Sequence, residues 1–213
     1  MSQVSLIELD LSKLAIVKVG RNITLLYNKK PLLLVTGQMY MPFGVKLINN
    51  TWSPYPNCVI DCSLNQSNND SSIKQREAIE ALDVRIKELL NESVYLFTNE
   101  DIEVTDDNYY SILRPNKTYP KLMKFNIPRD SNGNLITVIF DSNKEKIVLD
   151  DSNIEDVLPR SIVFKGIIRC NKIWYSKSCK FGIDWNLDQM ILNKKEVQHS
   201  QLPNKEFDQL MID

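Results

Sequence analysis

The sequence predicts a mainly β protein: a barrel or sandwich of about ten strands with one long amphipathic helix. Three observations predict it. Short runs alternate apolar and polar residues, as in Phe181, Ile183, Trp185 and Leu187 against Gly182, Asp184, Asn186 and Asp188. Clusters of Gly, Pro and Asn separate these runs. One stretch, 73–92, instead repeats its apolar residues at spacings of three and four.

Taken in chain order, "LAIVKVGRNITLLYN" (14–28) is rich in β-branched residues, and Gly20-Arg21-Asn22 breaks it into a hairpin. "KPLLLVTGQMYM" (30–41), "PFGVKLI" (42–48) and "CVIDCSL" (58–64) read as further strands, with "NNTWSPYPN" (49–57) as a loop. "NQSNNDSS" (65–72) is polar and low in complexity, a flexible linker. The helix follows, with Ile79, Leu82, Ile86 and Leu89 on one stripe and Ser72 with Gln75 as a capping box. Strands resume at "VYLFT" (94–98), "YYSIL" (109–113), "KLMKFNI" (121–127), "LITVIF" (135–140) and "EKIVL" (145–149). "RDSNGN" (129–134) is a turn, and Ser152 with Glu155 caps a single helical turn ending at Pro159. "IIRCNKIWYSK" (167–177) and "CKFGIDWNLDQMIL" (179–192) close the domain. Residues 1–192 read as one domain carrying the linker and helix as an insertion, and 193–213 as a polar, partly acidic tail.

With 43% hydrophobic and 25% charged residues, the chain has the composition of a soluble globular protein. Its N-terminus lacks a basic segment followed by an apolar one, and no apolar run approaches bilayer length, so an intracellular location is expected. Cys58, Cys62, Cys170 and Cys179 fit reduced thiols. No CxxC pair is present and the sole histidine is His199, so neither a zinc site nor a cofactor is expected. The net charge of −1 hides a segregation. Residues 160–195 hold eight Lys/Arg against two acids, while acids gather at 99–107 and 150–156. Such segregation suits a basic surface aimed at a polyanion.

Phosphate-loop, dinucleotide, zinc-protease and serine-hydrolase motifs are all absent, which argues against an enzyme. The pairs Asp106/Asp107 and Asp150/Asp151 sit in turn-like runs where solvation explains them better than a metal. What remains is aromatic and basic residues in or beside strands. Rings stack on bases and basic grooves track phosphates. Three segments supply both: Lys29 and Lys30 with Tyr40, Phe43, Trp52 and Tyr55; Arg114, Lys117, Tyr119, Lys121 and Lys124; and Arg169, Lys172, Trp174, Tyr175, Lys177 and Lys180. Trp185 and Phe181 read as core, Trp174 as either core or platform, and Trp52, Tyr55 and Tyr119 as exposed loop rings.

Four segments carry a family resemblance: "MYMPFGV" (39–45), "YPKLMKFNIPRDSNGNLITVIFD" (119–141), "IEDVLPRSIVFKGIIRC" (154–170) and "IWYSKSCKFGIDWNLDQMIL" (173–192). Together they resemble the single-stranded-DNA-binding proteins of large nucleocytoplasmic DNA viruses. The resemblance spans about two thirds of the chain, and its last segment is the most specific. Two departures stand out: Ser161 replaces a small residue or glycine, and Asp184 and Asp188 stand where the family is often basic. The resemblance implies an OB-like barrel that coats single strands in replication or repair, in a host cytoplasm or viral replication site. Tyr40, Phe43, Trp174, Phe181 and Trp185 would be motif positions. The implied partners are single-stranded DNA and, through the tail "KEFDQLMID" (205–213), replication proteins; RNA and self-association are left open. A viral structural or protein-interaction module is the alternative from another class, and a metal-dependent nuclease the third.

Overall fold

The computed structural model describes residues 2–49, 51, 53–64, 70–115 and 120–193. Twelve strands and two helices follow one another along the described residues: β1 (Ser2–Ser5), β2 (Leu14–Val19), β3 (Asn22–Tyr27), β4 (Lys30–Val35), β5 (Met39–Met41), β6 (Val45–Ile48), β7 (Asn57–Leu64), α1 (Asp70–Glu92), β8 (Leu122–Ile127), β9 (Val138–Phe140), β10 (Lys146–Ile147), α2 (Ile154–Val157), β11 (Ile162–Tyr175) and β12 (Phe181–Leu192).

Five strands close on themselves. β11 pairs with β5, β5 with β7, β7 with β8, β8 with β12, and β12 returns to β11. Closure removes the free edges that an open sheet would leave. The result is an OB-like barrel, mainly β, with added strands: β6 on β7, β9 and β10 beyond β12, and the β1–β4–β3–β2 layer joined through β11. Alternation builds the interior. Cys58, Ile60 and Cys62 of β7 face Ile127, Phe125 and Met123 of β8, all buried. Phe164 and Phe181 from the long hairpin complete the packing with no exposed surface.

Helix α1 lays Ile79, Leu82, Ile86, Leu89 and Leu90 against the core, packing on β2, β7 and the 3₁₀ turn Leu6–Glu8. It is described from Asp70, earlier than the expected start, which places Ser72 inside the helix rather than at its N-cap. Ser72 and Gln75 are buried, and Gln75 Oε1 accepts from the Gly37 N–H at 2.8 Å. Gln75 thus fastens the helix to the break between β4 and β5, which splits the run expected as one strand over 30–41. Two other expected strands are not strands. Val94–Leu96 is a 3₁₀ turn whose backbone bonds run locally to Ser93 and Val94. Residues 109–113 keep one bridge, Tyr109 to Phe181. At α2 the anchor is Asp150, whose Oδ1 accepts from the Ser152 hydroxyl at 2.6 Å, rather than a Ser152–Glu155 box. No helix among the described residues is long and apolar enough to cross a membrane.

Candidate functional site

The outer face of the β11–β12 hairpin carries the site. Inward go Ile173, Ile183, Trp185 and Leu187; outward go Lys172, Trp174, Gly182 and Asp184. A register shift at Asn171 widens the strand locally. Trp174 lies across from Gly182, and a Cβ at position 182 would sit 2.2 Å from Trp174 Cζ2. Only a glycine lets the indole lie against the neighbouring strand. Trp174 Nε1 donates to Asp184 Oδ1 at 3.1 Å, and the Tyr110 ring stands 5.6 Å away, tilted by 45°. Tyr110 is 51% exposed. Its N–H donates to the Phe181 carbonyl at 2.9 Å, which ties residue 110 to β12.

The segment carrying Tyr110 is also held from below. Asp83 Oδ1 on α1 accepts from the Tyr109 hydroxyl at 2.6 Å and from the Ile112 N–H at 3.1 Å. Burial pushes the Asp83 carboxyl above its ordinary value despite these donors. An acid whose folded value is raised contributes stability that is complete below its unfolded value and lost as pH rises through the folded one. Asp83→Ala is therefore expected to destabilise by about 1–3 kcal/mol, because two buried donors lose their acceptor. Asp83→Asn keeps an acceptor, so it should cost less and abolish this loss with rising pH. Urea melts of both variants between pH 4 and 8 check this.

A second ring lies along the same surface. Tyr55 is 39% exposed and rests on Gly133, where a Cβ would fall 2.3 Å from Cζ. The positive φ of 88° at Gly133 also favours glycine. The Arg129 guanidinium sits 5.8 Å from the Tyr55 centroid. It is locked by the Pro56 and Gly133 carbonyls at 3.1 and 2.6 Å and by Asp151.

Four grooves join around these rings. The largest, about 450 Å³, runs from Tyr55 to Lys172 and Asp184 and shares Asn126 with the next, about 240 Å³, under Trp174 and Tyr110. From there one branch of about 320 Å³ continues past Arg114 to Lys180, and another of about 290 Å³ past Tyr175 to Lys18 and Arg21. Charge is unevenly compensated along them. Lys172 pairs with Asp184 at 3.6 Å, and Lys180 Nζ donates to the Asp107 carbonyl. Among the described residues Lys18, Arg21, Arg114 and Lys124 have no ion-pair partner, so four uncompensated cations border the band.

No protein-family model and no curated protein matches the chain. Solved structures match in shape. The gp2.5 protein, a single-stranded DNA binding protein encoded by bacteriophage T7, aligns with a TM-score of 0.50 at 12% identity, covering 79% of this chain and 97% of that one. The fold is similar to that of gp2.5. The single-stranded DNA-binding protein from bacteriophage Enc34 in complex with ssDNA aligns with a TM-score of 0.44 at 12% identity, covering 86% and 97%.

Of the residues expected from the sequence, the grooves gather Tyr55, Arg114, Lys124, Lys172, Trp174, Tyr175 and Lys180. Others do not line them. Lys29 and Lys30 lie at the β3–β4 turn. The Tyr40 hydroxyl is 3.1 Å from Ser161 Oγ, Phe43 lies under Lys46, and Lys177 is exposed at the hairpin turn. Lys121 pairs with Glu80 at 3.1 Å and Arg169 with Asp188 at 2.7 Å. Trp52, Lys117, Tyr119 and the tail 194–213 lie outside the described residues. Sequence reasoning missed Tyr110, Lys18, Arg21, Arg129 and the asparagines of the largest groove. Tyr110 was hidden in a run read as a strand, and asparagine in a strand carries no signal of its own. The acid pairs have structural work: Asp106 pairs with Lys87, Asp150 anchors its turn and Asp151 holds Arg129. Among the described residues no three His, Cys, Asp or Glu side chains gather as a metal site.

Proposed function

We propose that the chain binds single-stranded DNA without sequence preference and serves DNA replication or repair as a binding protein rather than an enzyme. The observation that carries this reading is Trp174, seated on Gly182 beside Tyr110, in a groove that Arg114 and Lys124 border without ion-pair partners. A half-buried ring that lines a groove can support any base, and unpaired cations meet the phosphates. The fold shared with gp2.5 supports the reading. Lys172 and Arg169, already paired with carboxylates, would add less than the four unpaired cations.

The closer kinship to large nucleocytoplasmic DNA viruses, suggested by 173–192, belongs to the same proposal. So does a docking role for the acidic segment 205–213 toward replication proteins. The test is a titration of labelled oligo-dT over a range of salt. Four phosphate contacts on a single strand predict a log–log slope of about −3. Salt-insensitive binding, or affinity for an anionic protein without affinity for oligonucleotides, would favour the protein-interaction module instead.

A further inference from the structure

We propose that the groove beside Tyr55 reads the Watson–Crick edge of one unpaired base through asparagine amides. The inference rests on the single-strand reading above and adds a distinct contact to it. Asn57, Asn126, Asn171 and Asn186 all line this groove, whose volume of about 450 Å³ is within the range of small-ligand sites.

Asn186 is the decisive residue. The residue is 5% exposed, its amide makes no hydrogen bond among the described residues, and what surface it keeps opens into the groove. A nearly buried side chain whose amide has no protein partner and opens only into a groove holds its donor and acceptor ready for whatever enters there. Asn126 is its cross-strand partner on β8, lines the same groove, and likewise has no side-chain hydrogen bond among the described residues. The two amides therefore sit side by side on the outer face, with the flat support of Tyr55 on the groove wall and the Lys172 ammonium on its rim.

An amide offers a donor and an acceptor next to each other, and either orientation is available by rotation. Every base carries a donor beside an acceptor on its Watson–Crick edge: N3–H and O4 in thymine, N6–H and N1 in adenine, N4–H and N3 in cytosine, N1–H and O6 in guanine. Amides can thus satisfy any of the four. In a duplex the same edge is consumed by the opposite strand. The groove accepts unpaired bases of all kinds and refuses paired ones, so single-strand selectivity comes without sequence preference.

The test compares oligo-dT with the same oligomer built from N3-methylthymine, which blocks the N3–H donor while keeping ring, charge and backbone. The wild-type chain should bind the methylated oligomer about fivefold more weakly or worse. Asn186→Leu, of similar size and without donors, should bind oligo-dT more weakly and no longer distinguish the two. Asn186→Ala provides the same comparison if the leucine variant does not fold, and the wild-type pair of titrations decides even without either. Equal wild-type affinity for both oligomers overturns this inference and leaves single-strand binding standing. Binding of neither oligomer overturns single-strand binding itself, and this inference with it.

Discussion

Trp174→Ala is expected to weaken binding to oligo-dT by about tenfold or more, since each base stacked on an aromatic ring contributes about 1–3 kcal/mol. The fold should survive, because the indole lies on the outside of the hairpin while Ile173, Ile183 and Trp185 hold the inside. Gly182→Ala should act in the same direction through geometry alone. Its Cβ would meet Trp174 Cζ2 at 2.2 Å and lift the ring off the strand. Fluorescence anisotropy gives both affinities, and a thermal melt of each variant shows whether the barrel is intact. Unchanged affinity in a folded Trp174→Ala chain would remove the ring from the interface.

Phe181→Ala should be among the most damaging core substitutions, at about 3–5 kcal/mol. The side chain has no exposed surface, and its ring packs 4.8 Å from Tyr175 and 5.6 Å from Phe97, edge-on to the latter. Its backbone also holds the segment that carries Tyr110: the N–H donates to the Asn108 carbonyl at 2.7 Å and the carbonyl accepts from Tyr110. A cavity here loosens both the core and one wall of the groove. Urea denaturation should show the midpoint falling, with a loss well beyond that of Asp83→Ala. A shift under 1 kcal/mol would mean that the ring contributes little to the packing it completes.

Much of the fold was legible because burial writes itself into spacing. The hairpin of β2 and β3, the stripe on α1 and the division of β12 into Ile183, Trp185 and Leu187 against Asp184 follow from periods of 3.6 and 2. Register was not legible. Nothing in the string of letters says that Gly182 lies opposite Trp174, or that Asp184 and Asp188 reach Lys172 and Arg169 across the hairpin. Those pairings decide which cations stay free, and they depend on a strand shift at Asn171. Residues 94–98 and 109–113 have the composition of strands, but their backbones find local or single partners, because side-chain packing outweighs propensity there. Asn186 was invisible for another reason: its importance is an amide left open to the groove beside Asn126, which only a three-dimensional neighbourhood can reveal.

β11 touches β3, β4, β5 and β12, and so belongs at once to the barrel and to the β1–β4–β3–β2 layer. Removing the added layer would strip β11 of its partners on β3 and β4, and opening the barrel would strip it of those on β5 and β12. Lys18 and Arg21, on the layer side, and Arg114, bridged to β8 of the barrel, therefore reach one another only through Trp174 on this shared strand, although nearly a hundred residues separate them along the polymer.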